Sequence, residues 1–553
     1  MAHLAASQDQ SQYRGGTVFG WPLLIIATAA FAVVVPFSFL GIPSGHDFEF
    51  HINSWMEVLG QWRQGIIYPR WAALAHHGYG EARFIFYPPA SWFLGAALGA
   101  IFPWKIVPGA YVWVALTLSG CSMFVLARRW LSRNDAIFAA AIYVANPYYI
   151  VIVYWRSAFA ELLAGALFPL LLLCVINLDQ QGRKAVAPLA LIVAAGALTN
   201  VPASIMVNYS LALLAVTFAF LRRSPKILLR AAAAGALGAG LAAFFILPAF
   251  YEEKWINIAQ LLSPGVRPQD NFLFTTIADP DHNRFNRLIS LVATAELAVF
   301  AVAAFFSRKQ RCEQRQIWWT LVTWAGTSAF LMFSVSAVLW THLPLLRFLQ
   351  LPWRWLLSLN VTLVVLVTMA WKPWLWRVTA FLVMLAAVVF VWHRIQPPWW
   401  ESTADFADML SQHQSGAGYE GTDEYVPVGA DPYDVRLNAP LVALDSSAPL
   451  RVQVQQWRTE TKSFTAEAEE PGKLVLRLFN YPAWRVEVNG HKVQTETQDD
   501  TGQMLVPITA RESIVHIIFV RTWDRTVGAI VSLVSAAGLL LWFVKGRLAA
   551  TQT

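Results

Sequence analysis

The sequence predicts a polytopic α-helical membrane protein of about twelve transmembrane helices, with a small extracytoplasmic antiparallel β-sandwich domain before the last helix. Three observations predict it. Of the 553 residues, 57% are hydrophobic and only 14% charged, whereas soluble domains carry roughly 25% charged residues. Apolar runs close to the ~20 residues needed to cross a hydrocarbon core recur along the chain. One late segment then exchanges these runs for apolar–polar alternation.

The first run, Trp21–Leu40, follows a weakly basic tail (Arg14) and precedes Pro43-Ser44-Gly45 rather than a small-x-small cleavage site. It therefore reads as a retained helix and not as a signal peptide. Basic residues cluster at Arg128-Arg129, Arg183-Lys184, Arg222-Arg223-Lys226, Arg308-Lys309-Arg311-Arg315 and Lys545-Arg547, the positive-inside pattern of cytoplasmic loops. This placement explains the +7 formal charge without a nucleic-acid partner. Taking those loops as cytoplasmic gives further spans at Val107–Leu126, Ala136–Ile150, Phe159–Ile176, Val186–Leu198, Pro202–Phe220 and Leu229–Phe250. Leu288–Phe306, Trp318–Trp340, Trp355–Trp371, Trp374–Trp392 and Val527–Val544 complete the path. Pro89–Phe102 is apolar but short, and reads as a juxtamembrane or re-entrant helix opening at Pro88-Pro89. Many of the 26 Trp residues fall near span ends, where indole rings anchor at the interface. Cys121, Cys174 and Cys312 suggest neither a disulfide framework nor a zinc site.

The path divides the chain into a membrane domain (1–394) with a first outer loop at 42–87, an extracytoplasmic domain (395–525), and a final helix with cytoplasmic tail (526–553). Both termini are expected in the cytoplasm. Within 395–525, Leu450–Val454, Leu474–Leu478, Val486–Val488 and Ile514–Ile518 alternate with period two, the mark of half-buried strands. Asn489-Gly490 signals a hairpin turn.

Chemistry concentrates at the outer helix ends. Asp47 and Glu49, flanked by His46 and His51, lie just after the first helix, and ionisable groups at a bilayer boundary are functional candidates. Asp47 has the setting of a general base toward a hydroxyl. Asp47, Glu49 and His51 could instead ligate a divalent metal, although three residues without a second cluster give a weak metal signal. Trp62-Arg63 and Tyr68-Pro69-Arg70-Trp71 suggest amphipathic helices on the membrane surface. Arg156 and Glu161 interrupt two apolar spans, and either pair with each other or face the same cavity as Asp47. Arg347 and Arg354 flank a helix-breaking Pro352, and arginine suits phosphate through its planar fork. Glu252, Glu253 and Lys254 are further candidates, and Asp279-Pro280-Asp281-His282-Asn283-Arg284 reads as a mobile loop.

Together, Tyr68-Pro69-Arg70-Trp71, Arg156 through Glu161, Phe348 through Arg354 and Tyr481 through Gly490 resemble the GT-C superfamily of membrane glycosyltransferases. The likeness is nearest to bacterial YfhO-like and "6-pyruvoyl-tetrahydropterin synthase-related" membrane proteins. No soluble pterin-type catalytic domain or zinc–histidine set accompanies that label. The resemblance implies a protein of the bacterial inner membrane that transfers sugar from a polyprenyl-phosphate-linked donor to a glycan or lipid acceptor on the outer face; no cofactor is expected beyond the weakly indicated divalent metal. It implies Asp47 as the acceptor's base and an arginine on the donor phosphate, with inversion at the sugar. Glu161 stands where some relatives carry Asp and is a second catalytic candidate, while Glu49, His51, Arg156, Arg347 and Arg354 are candidate substrate contacts. A non-catalytic lipid-linked glycan transporter or an envelope assembly factor is the alternative. Transporters favour charges near the bilayer midplane, whereas the charges here gather at outer helix ends.

Overall fold

The computed structural model describes residues 20–309, 315–395, 399–509 and 511–551; Arg14, Arg311 and Cys312 lie outside the described residues. Nine described helices are long and apolar enough to cross a membrane. They are α1 (Gly20–Leu40), α4 (Val107–Ala127), α5 (Arg133–Arg156), α6 (Phe159–Gln180), α7 (Gly182–Thr199), α8 (Val201–Arg222), α10 (Pro280–Phe306), α12 (Pro352–Ala370) and α15 (Trp523–Trp542). Two bent pairs raise the count to eleven: α9, Lys226–Leu241 with Ala243–Trp255 at 75°, and α11, Arg315–Leu331 with Ser334–His342 at 91°. The twelfth expected crossing is helical as α13 (Trp374–Ile395), but its described apolar part, Trp374–Phe390, is shorter than a full span.

The loop at 42–87 is built differently from the amphipathic helices expected to lie on the membrane surface. Helix α2 (Phe48–Arg63) buries eleven of its sixteen residues, and α3 (Pro89–Ile101) begins at the Pro pair as expected. Tyr68-Pro69-Arg70-Trp71 is irregular backbone, because Pro69 cannot donate to a helix. Trp71 is fully buried, not interfacial. The run 279–284 is likewise ordered: Asp279 Oδ1 accepts from the backbone N–H of Asp281 (2.9 Å) and His282 (3.1 Å), capping α10.

Two antiparallel sheets form the β module. Strands β3 (Val442–Leu444), β6 (Gly472–Phe479), β10 (Gln503–Ile508) and β9 (Glu496–Thr497) pair in the order β3-β6-β10-β9. Strands β4 (Leu450–Trp457), β5 (Thr461–Ala468), β11 (Arg511–Phe519), β7 (Trp484–Val488) and β8 (His491–Val493) pair as β4-β5-β11-β7-β8. Alternation is strict on β11, where Ser513, Val515, Ile517 and Phe519 are buried and their neighbours exposed. Asn489 and Gly490 turn β7 into β8 with φ of 51° and 79°, the paired positive φ of a tight hairpin turn.

The module does not close its core alone. Trp71, Tyr79, Ala82, Ile85 and Phe86 of the first loop share one apolar cluster with Phe464, Leu476, Trp484 and Ile517. Trp71 meets Trp484 edge-on at 5.6 Å, and the Phe479 N–H donates to Tyr79 O at 3.0 Å. At the membrane boundary Glu252 accepts two 2.7 Å bonds from Arg525 and one of 2.6 Å from the Tyr481 hydroxyl, joining α9, the module and α15. Strand pair β1 (Ile42–Pro43) with β2 (Trp400–Glu401) ties the entry of the loop to the entry of the module.

These ties put the loop and the module at one end of the bundle. Single cysteines replacing exposed Glu49 and Ser446, with the native cysteines removed, should label with an impermeant thiol reagent from the same side. A cysteine replacing exposed Arg223, at the other end, should label only after permeabilisation if the first two label in intact cells.

Candidate active site

The last turn of α5 widens into a π-helical turn, Ile152–Arg156, and Ser157 follows in the left-handed region at φ 50°. Such bulges recur at functional sites because they redirect side chains out of helical register. Here the turn delivers Arg156 to the bundle end and aims Ser157 at the loop after α1. The Ser157 hydroxyl donates to Pro43 O (2.9 Å) and accepts from the Gly45 N–H (3.0 Å), and the Asp47 N–H donates to Arg156 O at 2.9 Å. A Cβ on Gly45 would lie 2.5 Å from Trp155 O and Arg156 C, so only glycine allows this approach. Asp47 is thereby fixed beside Arg156.

Glu161, in the first turn of the Phe159–Ala164 helix, sits at the centre. Its Oε2 accepts from Arg156 Nη1 at 2.6 Å and from Arg354 Nε at 3.0 Å, and its Oε1 accepts from the Tyr148 hydroxyl. Arg354 arrives on the 3-10 turn Pro352–Trp355. The chain is broken just before that turn at Leu345 and Gln350, both at positive φ. Arg354 Nη1 donates to Leu349 O at 2.7 Å. Arg156 also lies over the Trp353 ring, 4.8 Å from its centroid. Glu161 is 2% exposed and holds both arginines near the middle of the cluster.

Asp47 Oδ2 stands 3.7 Å from Arg156 Nη2, and its side chain is 41% exposed. An aromatic wall borders it: His46 packs against Phe285 (5.5 Å) and Trp399 (6.3 Å), and Trp155 stacks on Phe285 (5.4 Å). The arrangement thus comprises one accessible carboxylate beside two buried guanidinium groups that share one buried carboxylate.

Of the residues singled out from sequence, Asp47, Arg156, Glu161 and Arg354 come together. Arg347 does not: it is exposed, lies over the Phe348 ring at 5.0 Å and makes no ion pair among the described residues. Glu49 is exposed on the first turn of α2. Because that segment is a helix, Glu49 projects away from the face shared by Asp47 and His51. His51 is buried among Phe50, Trp55, Tyr87 and Phe159, and burial pushes its pKa down to about 4. It is therefore neutral and apolar in its contacts, unsuited to holding phosphate. Among the described residues no three His, Cys, Asp or Glu side chains are grouped for a metal.

Sequence reasoning missed a second buried network beneath the module. Glu81 accepts from Arg83 and pairs with His76 (2.9 Å), and the Thr422 N–H donates to it at 2.9 Å. Burial works against ionisation of Glu81, but Arg83 and His76 outweigh it and hold the pKa at about 2. Glu57 accepts from the Tyr419 hydroxyl (2.6 Å) and the Leu74 N–H (3.1 Å), and burial raises it to about 7. The available signal was that Glu57, Glu81 and Arg83 stand beside aromatic and apolar residues in the loop.

Residues 84–398 match a family model described as "6-pyruvoyl-tetrahydropterin synthase related domain; membrane protein". No curated protein matches the sequence. Among solved structures, the arabinofuranosyltransferase AftD from Mycobacteria is similar at 18% identity and TM-score 0.43, over 73% of this chain and 27% of that one. The Archaeoglobus fulgidus oligosaccharyltransferase is similar at 12% identity in two structures. Its apo form gives TM-score 0.37 over 73% of this chain and 57% of that one. Its complex with Zn and sulfate gives 0.36 over 73% and 54%. This chain therefore spans 27% of the length of the first and 57% of the second.

The two carboxylates should respond unequally to neutralisation. Glu161→Gln leaves two buried guanidinium groups undercompensated and should cost about 3–5 kcal/mol. Asp47→Asn removes a half-exposed, long pair and should change stability by less than about 1 kcal/mol. Thermal unfolding of the two variants in nanodiscs checks the contrast.

Proposed function

This chain belongs to the 6-pyruvoyl-tetrahydropterin synthase related family of membrane proteins, and we propose that it is an inverting GT-C-type glycosyltransferase. The donor is a polyprenyl-phosphate-linked sugar and the acceptor a glycan or lipid hydroxyl, at the outer face of the bacterial inner membrane. The observation that carries the reading is the accessible Asp47 carboxylate 3.7 Å from Arg156, whose buried partner Glu161 also holds Arg354. The sequence resemblance to GT-C enzymes supports the same assignment. The termini lie in the cytoplasm and the β module outside, following the distribution of basic residues.

In this reading Asp47 takes the proton from the acceptor hydroxyl as its oxygen attacks the anomeric carbon. The bond from that carbon to the phosphate oxygen breaks on the opposite face, so configuration inverts. The electron pair leaves with the polyprenyl phosphate. Arg156 and Arg354 stabilise the charge gained by the departing phosphate, because fixed donors in a water-poor site need no reorganisation during the reaction. Together with Glu161 they carry one net positive charge, which favours an anionic group. The fork of Arg354 keeps Nη2 without a hydrogen bond among the described residues, available to a phosphate oxygen. Glu161 has both oxygens occupied by protein donors, so we assign it to orienting the arginines and not to proton transfer. Arg347, Glu49 and His51 take no part in the step.

Purified protein should transfer sugar from one member of a panel of polyprenyl-phosphate sugars. Asp47→Asn should lower turnover by about 10²–10⁴-fold, the usual contribution of a general base. Arg354→Lys should rescue poorly because an ammonium offers a point charge and no fork. Full turnover in Asp47→Asn, with expression and Tm unchanged, would remove Asp47 from the chemistry.

A further inference from the structure

A second ionisable site lies inside the bundle, away from Asp47. Glu296 sits past the middle of α10, on the far side from the end that carries Phe285 and the aromatic wall. It is 3% exposed. Its Oε2 accepts from Asn360 Nδ2 at 3.0 Å. The backbone N–H of Tyr148 faces the carboxyl, yet Oε1 has no partner in hydrogen-bonding geometry, and neither has Asn360 Oδ1. An ionisable residue at such depth is costly and calls for a partner, and an unsatisfied buried polar atom calls for an explanation.

Glu296 lines a cavity of about 400 Å³ between α5, α10, α12 and α13. Its walls are apolar, formed by residues such as Phe138, Ile142, Leu363, Val367 and Met384. Trp371 and Arg377 line it too, toward the opposite end of the bundle from Asp47. Arg377 is engaged: it pairs with Asp135 and donates to Trp371 O (3.1 Å) and Thr368 O (3.3 Å). Among the described residues no free cation therefore faces the cavity. Its polar end instead offers an unpaired carboxyl oxygen that accepts a hydrogen bond, and no counter-charge for a buried anion.

We propose that this cavity binds a membrane-dissolved amphiphile with an apolar chain and a hydrogen-bond-donating, non-anionic head, a hydroxyl or an amine, bonded to Glu296 Oε1. The volume lies within the usual range of small-molecule sites, and apolar walls with one polar anchor fix such a ligand's direction. A phosphate head is disfavoured because the apolar cavity offers it no free cation among the described residues. The occupant is thus distinct from the sugar donor, and the site stands whether or not the glycosyltransferase reading holds.

The test uses the full chain in nanodiscs, with native mass spectrometry of bound 1-dodecanol, dodecylamine and dodecanoate, which share a chain length and differ in head. The unmodified protein should bind the alcohol, the amine or both saturably, and about tenfold or more tighter than the carboxylate. Glu296→Gln separates the two heads: it keeps an acceptor for the alcohol and removes the ionisable carboxyl that can pair with an ammonium. Glu296→Leu should abolish the head-group preference, and Ala380→Trp, on the cavity wall, should abolish binding. The head-group comparison on the unmodified protein needs no variant to fold. Equal binding of dodecanoate, the absence of saturable binding, or an unchanged preference in Glu296→Leu would each overturn the proposal. The last two results would mark a water-filled or self-satisfied Glu296–Asn360 pair.

Discussion

Two guanidinium groups cannot lie side by side in a low-dielectric interior unless something negative lies between them. Glu161 supplies that charge. One carboxylate accepts from Arg156, Arg354 and the Tyr148 hydroxyl, and so couples the end of α5, the start of α6 and the first turn of α12. Taking charges out of water is expensive, and mutual attraction offsets the cost only when every polar atom is used. The cluster meets that condition at the carboxylate and leaves capacity at the arginines. Such a site is formed before any substrate arrives, which is what electrostatic stabilisation of a departing anion requires.

The loop geometry that presents Asp47 depends on the same turn. The π-helical turn at 152–156 and Ser157 after it supply the Arg156 carbonyl that holds Asp47 and the hydroxyl that holds Gly45, so Arg156 and Asp47 cannot shift independently. On the other side, the first loop completes the core of the β module through Trp71, Tyr79 and Phe86. Glu57, Glu81 and Arg83 are satisfied mainly by groups from the loop itself and from residues 419–422. The module is therefore a cover fixed to the loop, held as well by the Glu252–Arg525 pair at the membrane.

Much of this was legible in the sequence for simple reasons. Apolar runs and basic loops report spans because the bilayer enforces both, and period-two alternation marked four of the module's strands correctly. Asp47, Arg156, Glu161 and Arg354 were visible as charges at helix ends on one side. What sequence could not supply was register in space. Glu49 and Asp47 look equivalent until α2 turns them to different faces, and Arg347 looks equivalent to Arg354 until the strained backbone at Gln350 separates them. His51 carries the residue type of a ligand, but its aromatic neighbours come from distant segments. The capped start of α10 was hidden because Asp-Pro-Asp reads equally well as a loop and as a helix N-terminus.

In the proposed mechanism Arg156 and Arg354 form one anion site facing Asp47. An experimental structure of the protein with a polyprenyl phosphate tests it most directly. The phosphate should lie within hydrogen-bonding distance of both arginines, its lipid chain leaving toward the bilayer and Asp47 open to the acceptor side. A phosphate bound elsewhere, with both arginines still closed on Glu161, would contradict it.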